Sequence, residues 1–89
     1  MRYTWVITRC TKEPSIVGVA GPQCATKEEV DKCKKEGIPF RMADCDGETP
    51  VYGKIMGDYE GFEPLDDFGM PSLGCTDMEY KEDGKWLAI

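Results

Sequence analysis

The side chains able to do chemistry in this 89-residue chain are carboxylates and thiols, because it contains no histidine. Nucleophilic catalysis by a Ser–His or Cys–His pair needs an imidazole and is excluded. The five cysteines, at 10, 24, 33, 45 and 75, include no C-x-x-C pair. Structural zinc sites take closely spaced ligand pairs, so that spacing speaks against one. An odd number of cysteines is also a poor disulfide framework. The thiols read as small hydrophobes of the interior. Acid–base work or a hard cation would then fall to the carboxylates. Two groups stand out: Asp44, Asp46 and Glu48 in one turn, and Asp66-Asp67 further on. A calcium-loop register on Asp44-x-Asp46-Gly47 would put its first ligand at Met42 and its last at Gly53, so that motif fails. Hairpin-turn chemistry accounts for the first group. A local Asx turn, or the N-cap of a short helical turn, accounts for the second. No glycine pattern matches a phosphate-binding loop. The sequence therefore predicts no catalytic residue, no metal and no cofactor.

Binding remains, and one stretch is suited to it. Asp58 to Gly74 carries five carboxylates between positions 58 and 67 and no base. Tyr59, Phe62, Leu65 and Phe68 are interleaved with those acids. The stretch shows no clean periodicity and reads as a long acidic loop without secondary structure, which is uncommon in a small domain and often functional. The residues expected to touch a partner are Asp58, Tyr59, Glu60, Phe62, Glu63, Asp66 and Asp67. Aromatic side chains would anchor and carboxylates would steer. The competing reading is that Phe62, Leu65 and Phe68 close the open end of a sheet while the acids face water. At least two of the apolar residues are expected in the core.

Charge is unevenly spread along the chain. Residues 1–43 hold eight bases and five acids, whereas residues 44–89 hold three bases and twelve acids, for a net charge of −6. Such a field repels nucleic acid and membrane surfaces and attracts a basic partner. Composition is that of a globular protein, with 40% hydrophobic and 31% charged residues. The length fits one domain over residues 1–89. No apolar run approaches the ~18 residues of a membrane span, and the first residues lack the features of a signal peptide. A cytoplasmic protein is expected.

The elements that must position these residues follow from period and punctuation. Tyr3 to Arg9 alternates as a strand, and Ile16 to Val19 reads as its hairpin partner. Thr26-Lys27-Glu28-Glu29 is a capping box opening one helix, which Gly37 in a left-handed conformation should stop. The helix buries little beyond Val30 and Cys33, so it should lie on the edge or on one face of a sheet. Pro39 to Ala43 and Val51 to Met56 read as a hairpin about Asp46-Gly47. Cys75 to Tyr80 and Lys85 to Ile89 form another, turned at Glu82-Asp83-Gly84. The expected fold is α+β: a small antiparallel, strongly curved sheet of about six short strands, one short helix and the long acidic loop.

Three stretches carry a resemblance: Tyr3-Thr4-Trp5-Val6-Ile7-Thr8; Phe40-Arg41-Met42 leading to Asp46-Gly47-Glu48; and Phe62-Glu63-Pro64-Leu65-Asp66-Asp67-Phe68-Gly69 followed by Gly74-Cys75-Thr76. Together they resemble a family of short, uncharacterised bacterial proteins, most specifically through Glu63 to Gly69. That family has an acid where this chain has Cys45. The resemblance implies a small bacterial or mobile-element protein and no particular activity.

The resulting expectation is a non-enzymatic module that occupies the basic, nucleic-acid-binding surface of a partner protein, such as an anti-CRISPR-type inhibitor of a defence complex. The alternatives are a carboxylate-based metal-dependent module or enzyme, and a structural homo-oligomer joined through a strand edge.

Overall fold

In the computed structural model, residues 3–10, 13–22, 25–43, 50–59 and 61–88 are described. Among the described residues, six strands form one antiparallel sheet: β1 (Tyr3–Cys10), β2 (Ala20–Gly21), β3 (Ile38–Ala43), β4 (Val51–Gly57), β5 (Asp77–Glu82) and β6 (Lys85–Ala88). Their order across the sheet is β2-β1-β4-β3-β5-β6. Helix α1 (Lys27–Glu36) lies between β2 and β3, and a helical segment ending in α2 (Met70–Leu73) lies between β4 and β5. The fold is thus the expected α+β domain, with a small antiparallel sheet that does not close into a barrel.

Alternation along the strands gives the sheet two faces. Trp5, Ile7, Phe40, Met42, Val51, Ile55 and Met78 point to one face and build the main core. Thr4 and Val6, out of phase with Trp5 and Ile7, point to the other face and are also buried. Helix α1 covers them, since its Cys33 thiol, with no exposed surface, reaches the carbonyls of Thr4 and Lys54 at 3.4 and 3.2 Å. The narrow apolar stripe of α1 therefore suffices, because it closes only the β1–β4 half of that face.

The capping box forms as read: Thr26 Oγ1 accepts from the Glu29 amide, and the Glu29 side chain accepts from the Thr26 amide. The stop at Gly37 differs from the expectation. Its backbone is extended (φ −66°, ψ 159°), and what demands glycine there is space, because a Cβ would lie 2.6 Å from the Cys33 carbonyl. The expected strand at Ile16 to Val19 is also corrected. Pro14–Ile16 forms a 3₁₀ turn, and Gly18 (φ 99°) reverses the chain. Gly18 and Val19 bond to Ile7, and regular pairing with β1 begins only at Ala20. The turn at Asp83-Gly84 has positive φ at both residues, 52° and 80°, the geometry that two-residue hairpins favour. The Asp44 to Glu48 turn lies outside the described residues.

The largest correction concerns the acidic stretch, which is a folded segment and not a loop without secondary structure. Leu65–Gly69 takes π-helical turns, the Met70 amide bonding to the Leu65 carbonyl, and α2 follows with Pro71 in its first turn. Gly74 (φ 70°) ends it in the left-handed conformation. The sequence pattern hides this helix because wide turns break the 3.6-residue period and two prolines punctuate it.

Candidate binding surface

The helical segment is a lid over the main core. Leu65 is buried in it, and Tyr59, Phe68 and Leu73 pack against it. Gly69 passes so close to Met42 that a Cβ there would lie 2.6 Å from its sulfur. The Phe68 ring sits 5.7 Å from the Trp5 ring. These contacts bear out the expectation that the stretch supplies core residues. They also fix the direction of the side chains left outside.

Asp67 is held inward although its carboxylate is at the surface. Its Oδ2 accepts from the Tyr3 hydroxyl at 2.7 Å and from Trp5 Nε1 at 3.1 Å, tying the lid to β1. At the other end the Tyr59 ring stacks on Tyr80, 5.7 Å between centroids, and the Tyr80 hydroxyl donates to the Gly61 carbonyl. Burial pushes the Tyr80 hydroxyl well above its ordinary value, with further contributions from Tyr59 and Glu63. Burial also raises Tyr59, with Glu63 adding to it. The Tyr80 phenol thus keeps its proton and serves as a donor to Gly61. Glu63 Oε1 accepts from the Gly61 amide at 2.7 Å, closing the bend that leads into the lid.

The seven expected site residues consequently separate. Asp58, Phe62 and Asp66 are exposed, Phe62 by 47% of its surface. Tyr59 is half-buried and lines a cleft of about 710 Å³ with Ile38, Tyr80 and Leu87. Phe62 borders a second cleft, of about 480 Å³, with Arg41 and Ala88. Glu63 and Asp67 make the internal bonds just described. Glu60 lies outside the described residues. Among the described residues, no three carboxylates or thiols come together in a metal-binding cluster, and no helix is long and apolar enough to cross a membrane.

A second surface lies on the opposite face of the sheet, beyond the edge of α1, and sequence reading missed it. Arg9, Tyr52, Arg41 and Glu79 stand in register across β1, β4, β3 and β5. Arg41 Nε donates to Glu79 Oε1 at 2.7 Å, and its guanidinium lies 4.5 Å from the centre of the Trp86 ring. Arg9 sits over Tyr52 at 5.6 Å and Lys81 over Trp86 at 5.9 Å. Strands β4 and β6 are three spacings apart, roughly 14 Å. Even so, the Tyr52 and Trp86 rings approach to 5.9 Å, so they lean together over Arg41. The hydrogen bond to Glu79 is the main cause that holds the Arg41 guanidinium more basic than usual, and Tyr52 adds to it. The signal was present in the sequence: Arg41 and Tyr52 occupy the polar phase of two alternating strands.

Compared with protein-family models, curated proteins and solved structures, the chain matches none.

Proposed function

We propose that this chain is a binding module and not an enzyme, which places its acidic lid on a basic surface of a partner protein. One observation carries the reading: the lid is anchored from beneath, so Phe62, Asp58 and Asp66 project from a fixed backbone. From Ile55 to Tyr80 the chain has seven acids and no base. Binding to such a pre-formed surface does not bear the ordering cost that a loose loop would incur. Phe62 supplies an apolar anchor, and the surrounding carboxylates speed encounter with a cationic patch. A nucleic-acid-binding protein presents a patch of that kind, since it must neutralise phosphates. On this reading the module acts as an inhibitor, competing with nucleic acid in the manner of an anti-CRISPR protein. The resemblance carried by Glu63 to Gly69 agrees with a bacterial or mobile-element setting and a cytoplasmic site of action.

The test uses the full chain as bait in a bacterial lysate at low and at high salt, with mass spectrometry of what is retained. The D58K/D66K variant and the F62A variant serve as comparisons, because neither touches the bonds of Asp67. A nucleic-acid-binding protein retained at low salt, released by salt and lost with D58K/D66K is the expected result. Equal retention by the wild type and D58K/D66K, with unchanged near-ultraviolet circular dichroism, overturns it.

A further inference from the structure

The two faces of the sheet carry different chemistry, and they meet at the cleft where Phe62 of the lid borders Arg41 and Ala88. The lid covers one face and offers Asp58, Asp66 and the exposed Phe62 and Met70. On the other face α1 covers only the β1–β4 half, leaving Tyr52 and Trp86 as half-buried rings flanked by the exposed cations Arg9 and Lys81. Glu79 is taken up by Arg41, and the Lys54 ammonium is taken up by the Lys34 carbonyl at the end of α1, at 2.8 Å. Arg9 and Lys81 lie against ring faces, which leaves their charge available to an incoming carboxylate. The asymmetry extends along the chain: residues 1–43 carry eight bases against five acids, whereas residues 55–80 carry no base.

We infer that the open Tyr52–Trp86 face is an interaction surface whose occupant is the acidic lid of a second copy of this chain, so that copies associate head to tail. Charge complementarity selects this occupant. The lid pairs carboxylates with an exposed phenylalanine and methionine, and the face pairs cations with two rings on which such side chains can pack. Because the two surfaces are different, the contact is heterologous. It extends into short chains or a ring and does not stop at a symmetric dimer. A lid engaged in this way is unavailable to any other basic surface. Self-association rests on the same acids as the proposed partner binding, and additionally on Arg9 and Lys81.

Sedimentation velocity over a range of concentrations at low salt tests it. The expected result is a weight-average sedimentation coefficient that rises with concentration and falls to the monomer value at high salt, where exposed pairs are screened. R9E/K81E alone and D58K/D66K alone are expected to stay monomeric. Mixed together, they should associate again, because the intact lid then meets the intact face and the reversed lid meets the reversed face with opposite charge. A wild-type chain that is monomeric at every concentration overturns the inference. So does association that is indifferent to salt or to R9E/K81E, as an open β6 edge would give. Binding of a labelled oligothymidylate by a strictly monomeric wild type, abolished by R9E/K81E, assigns the face to a nucleic acid instead. R9E/K81E leaves the lid intact, so its retention of a lysate partner separates failure of self-association from failure of the proposed function.

Discussion

Asp66 and Asp67 are adjacent, chemically identical and both at the surface, yet they do different work. Asp66 projects from the lid, whereas Asp67 accepts two hydrogen bonds from β1, at 2.7 and 3.1 Å. Hydrogen bonds to a charged group contribute more than neutral ones, about 1.5–3 kcal/mol where they are shielded from water. Removing the acceptor also leaves the half-buried indole N–H of Trp5 without its partner. D67A should therefore lower unfolding free energy by about 1–2 kcal/mol, and D66A should change it by less than ~0.5 kcal/mol, as exposed positions do. Urea titration of the two variants checks this. Equal effects would show that the Tyr3 and Trp5 bonds contribute nothing to holding the lid. Partner retention should respond in the reverse order, with the charge of Asp66 mattering at unchanged stability.

The elements divide by how closely each obeys a period. Apart from β2, expected at Ile16 to Val19 and found at Ala20–Gly21, the strands and α1 were legible because alternation, a capping box and turn residues all agreed. Trp5, Ile7, Phe40 and Met42 alternate, and Asp83-Gly84 fits only one kind of hairpin turn. The lid was not legible as a helix, since a π-helical run has no sequence period that single-residue preferences reveal. Its apolar content still showed that something must be covered, and Leu65 and Phe68 do cover it. The open face was missed for a different reason: Arg41, Tyr52 and Trp86 look like ordinary outward residues until the register places them together. Register also explains Gly53. It stands opposite Ile7 on β1 and Phe40 on β3, and a Cβ there would run into the Phe40 ring and the Val6 carbonyl. The backbone carbonyl cannot swing aside, so the strand itself must shift. G53A should cost about 1–3 kcal/mol, the range for an overpacked interior. It should also broaden amide resonances along β1, β4 and β3 more than along β6. An unchanged urea midpoint would mean that the sheet yields at this crossing.

At the scale of the molecule, one sheet lies between two unequal covers, and each cover shields a group that must keep its proton. Under α1, burial pushes the Cys33 thiol from its ordinary 9.0 up to about 11, partly offset by Lys54. Under the lid, burial raises the hydroxyls of Tyr80 and Tyr59. All three are neutral when protonated, so the sign is common. Below 9.0 the folded and unfolded chains both hold the Cys33 proton and the shift has no effect on stability. Between 9.0 and about 11 the unfolded chain releases it while the folded chain retains it, so stability falls as pH rises. The slope for a single group is at most ~1.4 kcal/mol per pH unit. The tyrosines, raised from 10.0, begin to contribute in the same direction at higher pH. Both covers should therefore fail together in base, as a cooperative loss and not as a peeling of the lid. The measurement is the urea midpoint as pH is raised from below 9.0 towards 11, for the wild type and for C33A. The wild type should lose stability through this window, and C33A, less stable at neutral pH, should lose it less steeply until the tyrosines titrate. Parallel curves would mean that the thiol ionises freely in the folded chain, and that α1 does not seal the face it lies on.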